Sequence, residues 1–126
     1  MNVLTIDVET THKDRQGGGT TALPYFNNRL VSVGWKWLLN QDVNYEFFYH
    51  KDKDTWYNSE TVNRIQNDLD KTDVLIGQNI KFDIMWLRAC GFKYDGVIYD
   101  TMVAEYLRSK GRRWSLALDA LAKRYN

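Results

Sequence analysis

A nearly continuous apolar run over residues 3–8 opens the chain, and two acidic residues, Asp7 and Glu9, stand at its carboxyl end. Runs that are rich in β-branched residues and have little polar interruption are typical of strands buried inside an α/β sheet. The carboxyl ends of such strands line the crevice in which open α/β sheets bind ligands. The run therefore predicts a buried strand that presents acidic side chains at a ligand site.

Asp7 and Glu9 are separated by one residue, so a strand would present both carboxylates on the same face. Two neighbouring carboxylates repel each other unless a proton or a cation neutralises them. Mg²⁺ and Mn²⁺ suit such a pair best, because these hard ions prefer oxygen ligands. The pair predicts a divalent-cation site, and the alternative is two solvated acids where a strand passes into a loop.

A second motif follows a short apolar run at residues 74–76, which ends in Gly77 and suits another buried strand. Asn79 is predicted to be the N-cap of a helix over residues 80–90, and Gly91 is predicted to stop that helix. The apolar residues of this segment recur at helical spacing and define a packed stripe.

Asp83 borders the packed stripe in the first turn of this predicted helix, where Asn79 can point the same way. Capping and the helix dipole would explain these two residues if they stood alone. Combined with Asp7 and Glu9, however, a third carboxylate facing the end of the strand predicts a site for two metal ions.

Three segments carry a resemblance to a known family: residues 4–10, residues 76–83, and residues 99–107 followed by 114–122. The chain resembles the amino-terminal part of the proofreading 3′–5′ exonuclease domain of family A DNA polymerases, the group of bacterial DNA polymerase I and its phage relatives. The first segment is weakly specific, whereas the second and third together are strongly specific.

The resemblance implies an α/β fold, a ribonuclease H-like mixed sheet flanked by helices. It implies that Asp7, Glu9 and Asp83 are three of the family's four metal-binding carboxylates and are catalytic, with two divalent ions, Mg²⁺ or Mn²⁺. The implied reaction is hydrolysis of the 3′-terminal phosphodiester, which releases nucleoside 5′-monophosphates. The implied partners are the 3′ end of single-stranded DNA and, in a longer chain, a polymerase domain.

Nucleic-acid contacts are expected from residues beside the acids and from a basic cluster near the carboxyl end. Phe82 is the expected wall of a nucleotide pocket, and Asn79 is expected beside the metal site or against the terminal nucleotide. Basic side chains crowd residues 108–113, where a phosphate site and a solvated surface are both open interpretations. The predicted nucleic-acid-binding residues are Thr10, Asn79, Phe82, Arg112 and Arg113.

One departure from the family pattern concerns its last motif, a tyrosine followed four residues later by the fourth aspartate. No tyrosine after Asp83 is followed by such an aspartate, and the sequence stops at Asn126. We therefore expect one truncated domain over residues 1–126, or a naturally shortened relative, with weak or no activity. The alternatives are a non-catalytic module that binds single-stranded nucleic acid or has a structural role, and another ribonuclease H-like nuclease.

Length and composition fit a single α/β domain. The 126 residues are 44% hydrophobic and 14% aromatic, which is enough for one packed core. The net charge of +1 does not by itself predict nucleic-acid binding. Cys90 is the single cysteine, so no intrachain disulfide forms, and neither a signal peptide nor a membrane-spanning run is recognisable. A cytoplasmic location is expected, in the host cytoplasm if the protein is phage-encoded.

The order of predicted elements is strand, loop, two strands, helix, strand, helix, short strand and two helices. Residues 12–28 contain a glycine run and the only proline, and they predict a long mobile loop. The patterns that follow predict an antiparallel hairpin over 30–38 and 43–50, and helices over 59–69, 100–109 and 115–125.

Several remaining residues have simpler explanations than catalysis. His12 is expected at the surface, and His50 has no paired ligand with which to hold zinc. Asp100 is explained as the N-cap of a helix, with a role as a substitute fourth carboxylate as the alternative. Stacking on bases is open to four tryptophans, of which at least two are expected in the core: Trp35, Trp37, Trp86 and Trp114.

Overall fold

The computed structural model describes residues 1–14, 20–24, 27–48 and 59–126. Within these residues a five-stranded sheet and four helices account for most of the structure. The elements are β1 (Val3–Thr10), β2 (Lys13–Asp14), β3 (Thr20–Thr21), β4 (Leu30–Trp37), β5 (Asn44–Phe47), α1 (Ser59–Asp70), β6 (Val74–Gly77), α2 (Lys81–Ala89), β7 (Val97–Asp100), α3 (Thr101–Arg108) and α4 (Leu118–Tyr125).

The strand that carries the acids lies in the middle of the sheet, whose order is β5-β4-β1-β6-β7. It pairs antiparallel with β4 on one side and parallel with β6 on the other. The β4–β5 pair is antiparallel and the β6–β7 pair is parallel. The predicted α/β fold, a ribonuclease H-like mixed sheet with flanking helices, is confirmed.

Alternation along β1 separates a core face from an acidic face. Leu4, Ile6 and Val8 are buried, whereas Asp7 and Glu9 on the opposite face are exposed. Towards its carboxyl end, β1 is therefore buried on its apolar face and exposed on its acidic face. That exposed end leaves both acids accessible to solvent.

Helices α1 and α2 supply much of the core that packs against the sheet. Ile65 and Leu69 of α1 are buried, and Trp35 of β4 donates its indole N–H to Oδ2 of Asp68 at 2.8 Å. Trp86 of α2 donates its indole N–H to the carbonyl of Ala22 at 2.9 Å. Trp35 and Trp86 are each 2% exposed, which confirms the expectation that at least two tryptophans belong to the core.

The carboxyl end of α2 follows the prediction closely. Gly91 has a φ of +91°, a left-handed conformation that glycine adopts without steric cost. Its N–H donates to the carbonyl of Arg88, and the N–H of Phe92 donates to the carbonyl of Leu87. This pair of bonds is a Schellman motif, so Gly91 ends the helix as expected.

Helix α4 is shorter than predicted, because it begins at Leu118 rather than at residue 115. Two carbonyls just before it are bonded outside any helix. The Leu116 carbonyl accepts from Nε2 of Gln78 at 2.5 Å, and the Ser115 carbonyl accepts from Nη2 of Arg124 at 3.1 Å. These contacts hold residues 115–117 in an irregular conformation.

The predicted loop over residues 12–28 contains some pairing. Strands β2 and β3 form a short antiparallel ladder, and Asn28 donates its amide to the carbonyls of Thr21 and Leu23. His12 is exposed, as expected. Parts of this loop, the end of the predicted hairpin and His50 lie outside the described residues. None of the described helices combines the length and apolar character needed to cross a bilayer.

Candidate active site

Asp83 joins the two acidic motifs through one buried hydrogen bond. The N–H of Val8 donates to Oδ1 of Asp83 at 2.8 Å. Pairing between β1 and β6 ends at Thr5 and Ile76, so Val8 lies beyond the reach of that ladder. The Asp83 carboxylate therefore accepts a backbone N–H of β1 at a position that β6 does not reach. This bond holds the first turn of α2 against the acidic end of β1.

Gly77 permits this close approach of the β6–α2 turn to the central strand. A Cβ at this position would lie 2.9 Å from Cγ1 of Ile80 and 3.2 Å from the carbonyl oxygen of Ile6. Both distances are shorter than ordinary packing allows. The glycine is therefore needed to seat α2, and with it Asp83, at the end of β1.

Asn79 does not cap α2, so this prediction is wrong. Its φ is +54°, and the residue that precedes the helix is Ile80, which has helical angles and makes no side-chain cap. The Asn79 N–H instead donates to Oδ1 of Asp100 at 3.0 Å. Asparagine tolerates the left-handed region better than most residues, and the chain uses it to turn from β6 into α2.

The Asp83 carboxyl is 4% exposed, and its burial raises the pKa from the ordinary 3.8 to about 6. The hydrogen bond from Val8 opposes this rise in pKa, because it favours the ionised form. The negative charges of Asp7 and Asp100 raise the pKa further. Asp7 is thus close enough for its charge to disfavour the ionised form of Asp83, and a bound cation would offset that effect.

Glu9 shares the exposed face of β1 with Asp7, but it is not among the charges that perturb the Asp83 pKa. The pairing of β1 with β4 shifts register between Glu9 and Thr10, at the very end of the strand. In the described part of the chain, no three His, Cys, Asp or Glu side chains are gathered so that they could hold a metal ion. The structure brings Asp7 and Asp83 together, whereas Glu9 as a third ligand stays a prediction.

Asp100 is the N-cap of α3, as expected. Its Oδ1 accepts from the backbone N–H groups of Met102 at 2.9 Å and Val103 at 3.4 Å, in addition to that of Asn79. One carboxylate oxygen therefore links the start of α3 to the turn before α2. The contacts of this oxygen are structural.

The predicted nucleic-acid-binding residues belong to different elements of the fold. Thr10 is half-buried at the end of β1, and Phe82 is half-buried and packs against the hydrophobic core. Asn79 is half-buried in the turn before α2. Arg112 and Arg113 are exposed beyond α3. Their roles as substrate contacts stay predictions.

Two residues in the segments that carry the family resemblance have contacts that the sequence did not predict. Gln78 accepts from the hydroxyl of Thr101, while its amide holds the Leu116 carbonyl. Glu105 is buried and is bonded by Arg124 and by the hydroxyl of Tyr125 at 2.6 Å. No pattern in the sequence indicated that Glu105 is buried, because Thr101 and Arg108 lie on the same side of the helix and form no apolar face around it.

The mixed sheet, its central acidic strand and the acid on the following helix define a ribonuclease H-like domain. A family model described as 3′–5′ exonuclease matches residues 2–126, and the chain belongs to this exonuclease family of A-type DNA polymerases. Members of this group are nucleases that generally use divalent metals, and the family implies a nucleic-acid substrate and a polymerase context. A comparison with curated proteins found no match.

Proposed function

We propose that this chain is a proofreading 3′–5′ exonuclease domain that hydrolyses the 3′-terminal phosphodiester of single-stranded DNA and releases nucleoside 5′-monophosphates. The observation that carries the proposal is the buried contact between Oδ1 of Asp83 and the N–H of Val8. This contact sets a buried carboxylate beside Asp7 at the carboxyl end of the central strand, where an α/β sheet binds its ligand.

The donor atoms at the carboxyl end of β1 fit a hard divalent cation such as Mg²⁺ or Mn²⁺. Asp7 and Asp83 supply carboxylate oxygens, and a bound cation would favour the ionised form of Asp83, whose pKa is raised by burial and by the charge of Asp7. Glu9 is the proposed third ligand, because it follows Asp7 on the same face of β1. When bound, two such ions lower the pKa of a water molecule and stabilise the charge that develops on phosphate oxygens.

The residues of the chain have distinct proposed roles. The Val8 N–H holds Oδ1 of Asp83 in place, and the second carboxylate oxygen is the proposed ligand atom. Asp7, near the carboxyl end of β1, is the second proposed carboxylate ligand. Glu9, which is exposed, orients the attacking water and accepts a proton from it on a carboxylate oxygen.

Substrate recognition is proposed to depend on the phosphate backbone and on base stacking. Phe82 and Asn79 flank the start of α2 and would contact the terminal nucleotide, while Thr10 would contact it from the end of β1. Arg112 and Arg113 would bind phosphates further along the strand. Little sequence preference is expected, because phosphate charge and aromatic faces are common to all nucleotides.

Activity of this chain is expected to be weak. Efficient two-metal hydrolysis needs several carboxylates arranged around both ions, and the described part of the chain gathers no three metal-ligating side chains in one place. With fewer carboxylates to hold the ions, the attacking water would be less well oriented, and each loss of about 1.4 kcal/mol of transition-state stabilisation would lower the rate by about tenfold.

A single-stranded oligonucleotide labelled at its 5′ end tests this proposal. With Mn²⁺ present, successive shortening from the 3′ end is expected, and Asp83→Asn should abolish it. Asp95→Asn, which changes an exposed acid after α2, is the matched control and should leave the rate unchanged. Internal cleavage, or an unchanged product ladder with Asp83→Asn, would contradict the proposal.

The second candidate function is a non-catalytic module that binds single-stranded nucleic acid. The observation that favours it is that no three metal-ligating side chains are gathered in the described part of the chain. The two functions separate in one experiment, because a binding module would retain labelled DNA in the presence of Mn²⁺ without shortening it.

A further inference from the structure

Positive charge is concentrated at the carboxyl end of the chain. Residues 101–126 contain six of the 17 Lys and Arg residues but only two of the 16 acids. One of those two acids, Glu105, is buried and bonded by Arg124 and Tyr125. The exposed surface of α3, α4 and the segment between them is therefore strongly basic, although the whole chain is nearly neutral.

Trp114 lies in this basic surface and is held there by arginines. The Arg112 and Arg124 guanidinium carbons lie 5.0 and 4.7 Å from the Trp114 ring centroid, within cation–π distance. Arg124 is itself fixed, because it binds buried Glu105 and donates to the Ser115 carbonyl at 3.1 Å. Arg124 thus links the Trp114 ring to the buried carboxylate of Glu105.

Trp114 remains accessible despite this support. Its side chain is 40% exposed, whereas the core tryptophans Trp35 and Trp86 are each 2% exposed and place their indole N–H groups on buried partners. Placing a large aromatic ring in water is unfavourable, so a purely structural role would favour deeper burial. A fixed, half-exposed ring among cations is instead the arrangement that stacks on the bases of single-stranded nucleic acids.

The segment that carries Trp114 is tied directly to the candidate active site. Nε2 of Gln78 donates to the Leu116 carbonyl at 2.5 Å, and Gln78 immediately precedes Asn79 in the turn between β6 and α2. The same turn positions Asp83 against β1. A strand that has its 3′ end at the acids therefore has a structural neighbour in the Trp114 segment.

We propose that Trp114 is a stacking platform for a base of single-stranded DNA, with Arg112 and Arg113 binding the flanking phosphates. This inference rests on the proposed exonuclease function, and it assigns the path of the substrate away from the acids. Charge complementarity favours DNA as the occupant, since the surface is basic and the ligand carries one negative charge per phosphate.

Binding of a fluorescein-labelled oligothymidylate, measured by anisotropy in EDTA so that no cleavage occurs, tests the platform. Trp114→Leu should weaken binding by about tenfold, and Trp114→Phe should retain most of it, because stacking requires a flat aromatic ring. An oligonucleotide of equal length with abasic sites should bind wild type more weakly and should not distinguish wild type from Trp114→Leu.

Tyr45→Leu is the matched control, because Tyr45 is a 62% exposed aromatic residue on β5 at the opposite edge of the sheet. It should bind oligothymidylate like wild type. Circular dichroism and thermal melting check that each variant is folded. If Trp114→Leu fails to fold, the fluorescence of wild type and of Trp114→Phe is compared instead. DNA should quench the tryptophan fluorescence of wild type, and this quenching should be largely lost in Trp114→Phe.

The outcomes separate this inference from the proposed function. If wild type degrades the oligonucleotide and Trp114→Leu binds as tightly as wild type, the platform is wrong and the exonuclease proposal stands. Equal weakening towards oligothymidylate and the abasic strand would also overturn it, because no base would then be involved. If wild type neither binds nor degrades single-stranded DNA, the proposed function and the inference fail together.

Discussion

Replacing Asp83 with asparagine is expected to stabilise the metal-free protein while it abolishes nuclease activity. The carboxyl is buried, and its pKa is raised from 3.8 to about 6. At neutral pH the folded protein therefore holds an ionised group in an environment that disfavours its charge. Asparagine keeps an acceptor oxygen for the Val8 N–H, with nearly the same shape, and removes the charge.

The pKa shift sets the size of the expected change in the free energy of unfolding. Each pKa unit corresponds to about 1.4 kcal/mol, so the ionised carboxyl costs about 3 kcal/mol relative to a group with its ordinary pKa. Asp83→Asn removes this cost, but part of the resulting stabilisation is lost, because a neutral acceptor bonds the Val8 N–H less strongly than a carboxylate. We expect Asp83→Asn to be about 1–3 kcal/mol more stable at pH 7.5.

The sign of the pH dependence follows from the same shift. Because the folded pKa is raised, the folded state binds more protons than the unfolded state between about pH 4 and 6. The contribution of Asp83 to the free energy of unfolding therefore decreases as the pH rises through this window and is constant above it. In Asp83→Asn this contribution is absent, so the difference in stability between the two proteins should shrink as the pH falls from about 6 to 4.

Urea unfolding with EDTA present, at several pH values from 4 to 7.5, measures this difference. Asp95→Asn is the control, because it removes an exposed acid and leaves the buried one in place. Equal stability of wild type and Asp83→Asn at pH 7.5, or a difference that does not change with pH, would refute the reasoning from burial.

Three further predictions concern the turn before α2, the cap of α3 and the metal. Gly77→Ala should lower the free energy of unfolding by about 1–3 kcal/mol in urea titrations, because its Cβ would meet Ile80 and the Ile6 carbonyl; an unchanged midpoint would show that the turn can relax. Asp100→Ala should cost about 1–2 kcal/mol by the same assay and Asp100→Asn much less, since only alanine removes the oxygen that accepts the backbone N–H groups; equal losses would contradict the cap. Mn²⁺ should raise the thermal midpoint of wild type but not of Asp7→Asn. Equal shifts of the midpoint, or equal heats of binding when Mn²⁺ is titrated into the two proteins, would count against the cation site.

Local sequence signals determined the features whose partners lie nearby in the chain. The alternation of residues 3–10 placed an acidic pair on one face of a central strand. Gly91 ended α2 and Asp100 capped α3 because the groups that these residues satisfy belong to the adjacent helix turns. Such contacts depend on neighbouring residues alone, so a pattern in the sequence is enough to predict them.

The tertiary structure decided the features whose partners are distant in the chain. Asparagine is a common N-cap residue, yet the backbone N–H of Asn79 donates to Asp100 instead. The close packing around Gly77 fixes the turn in which Asn79 lies. The start of α4 moved because Gln78 and Arg124 bond the preceding carbonyls. No local propensity encodes these bonds, since the partner groups meet only when the sheet has formed.

The candidate site divides in the same way. The sequence alone indicated the candidates for its chemistry, Asp7, Glu9 and Asp83, because acids of that spacing at a strand end favour a cation site. The tertiary structure alone determined that Asp83 is buried, that the Val8 N–H anchors it, and that Asp7 disfavours its ionisation. The physical reason is that desolvation and charge repulsion depend on distances between elements, which follow from packing and not from spacing along the chain.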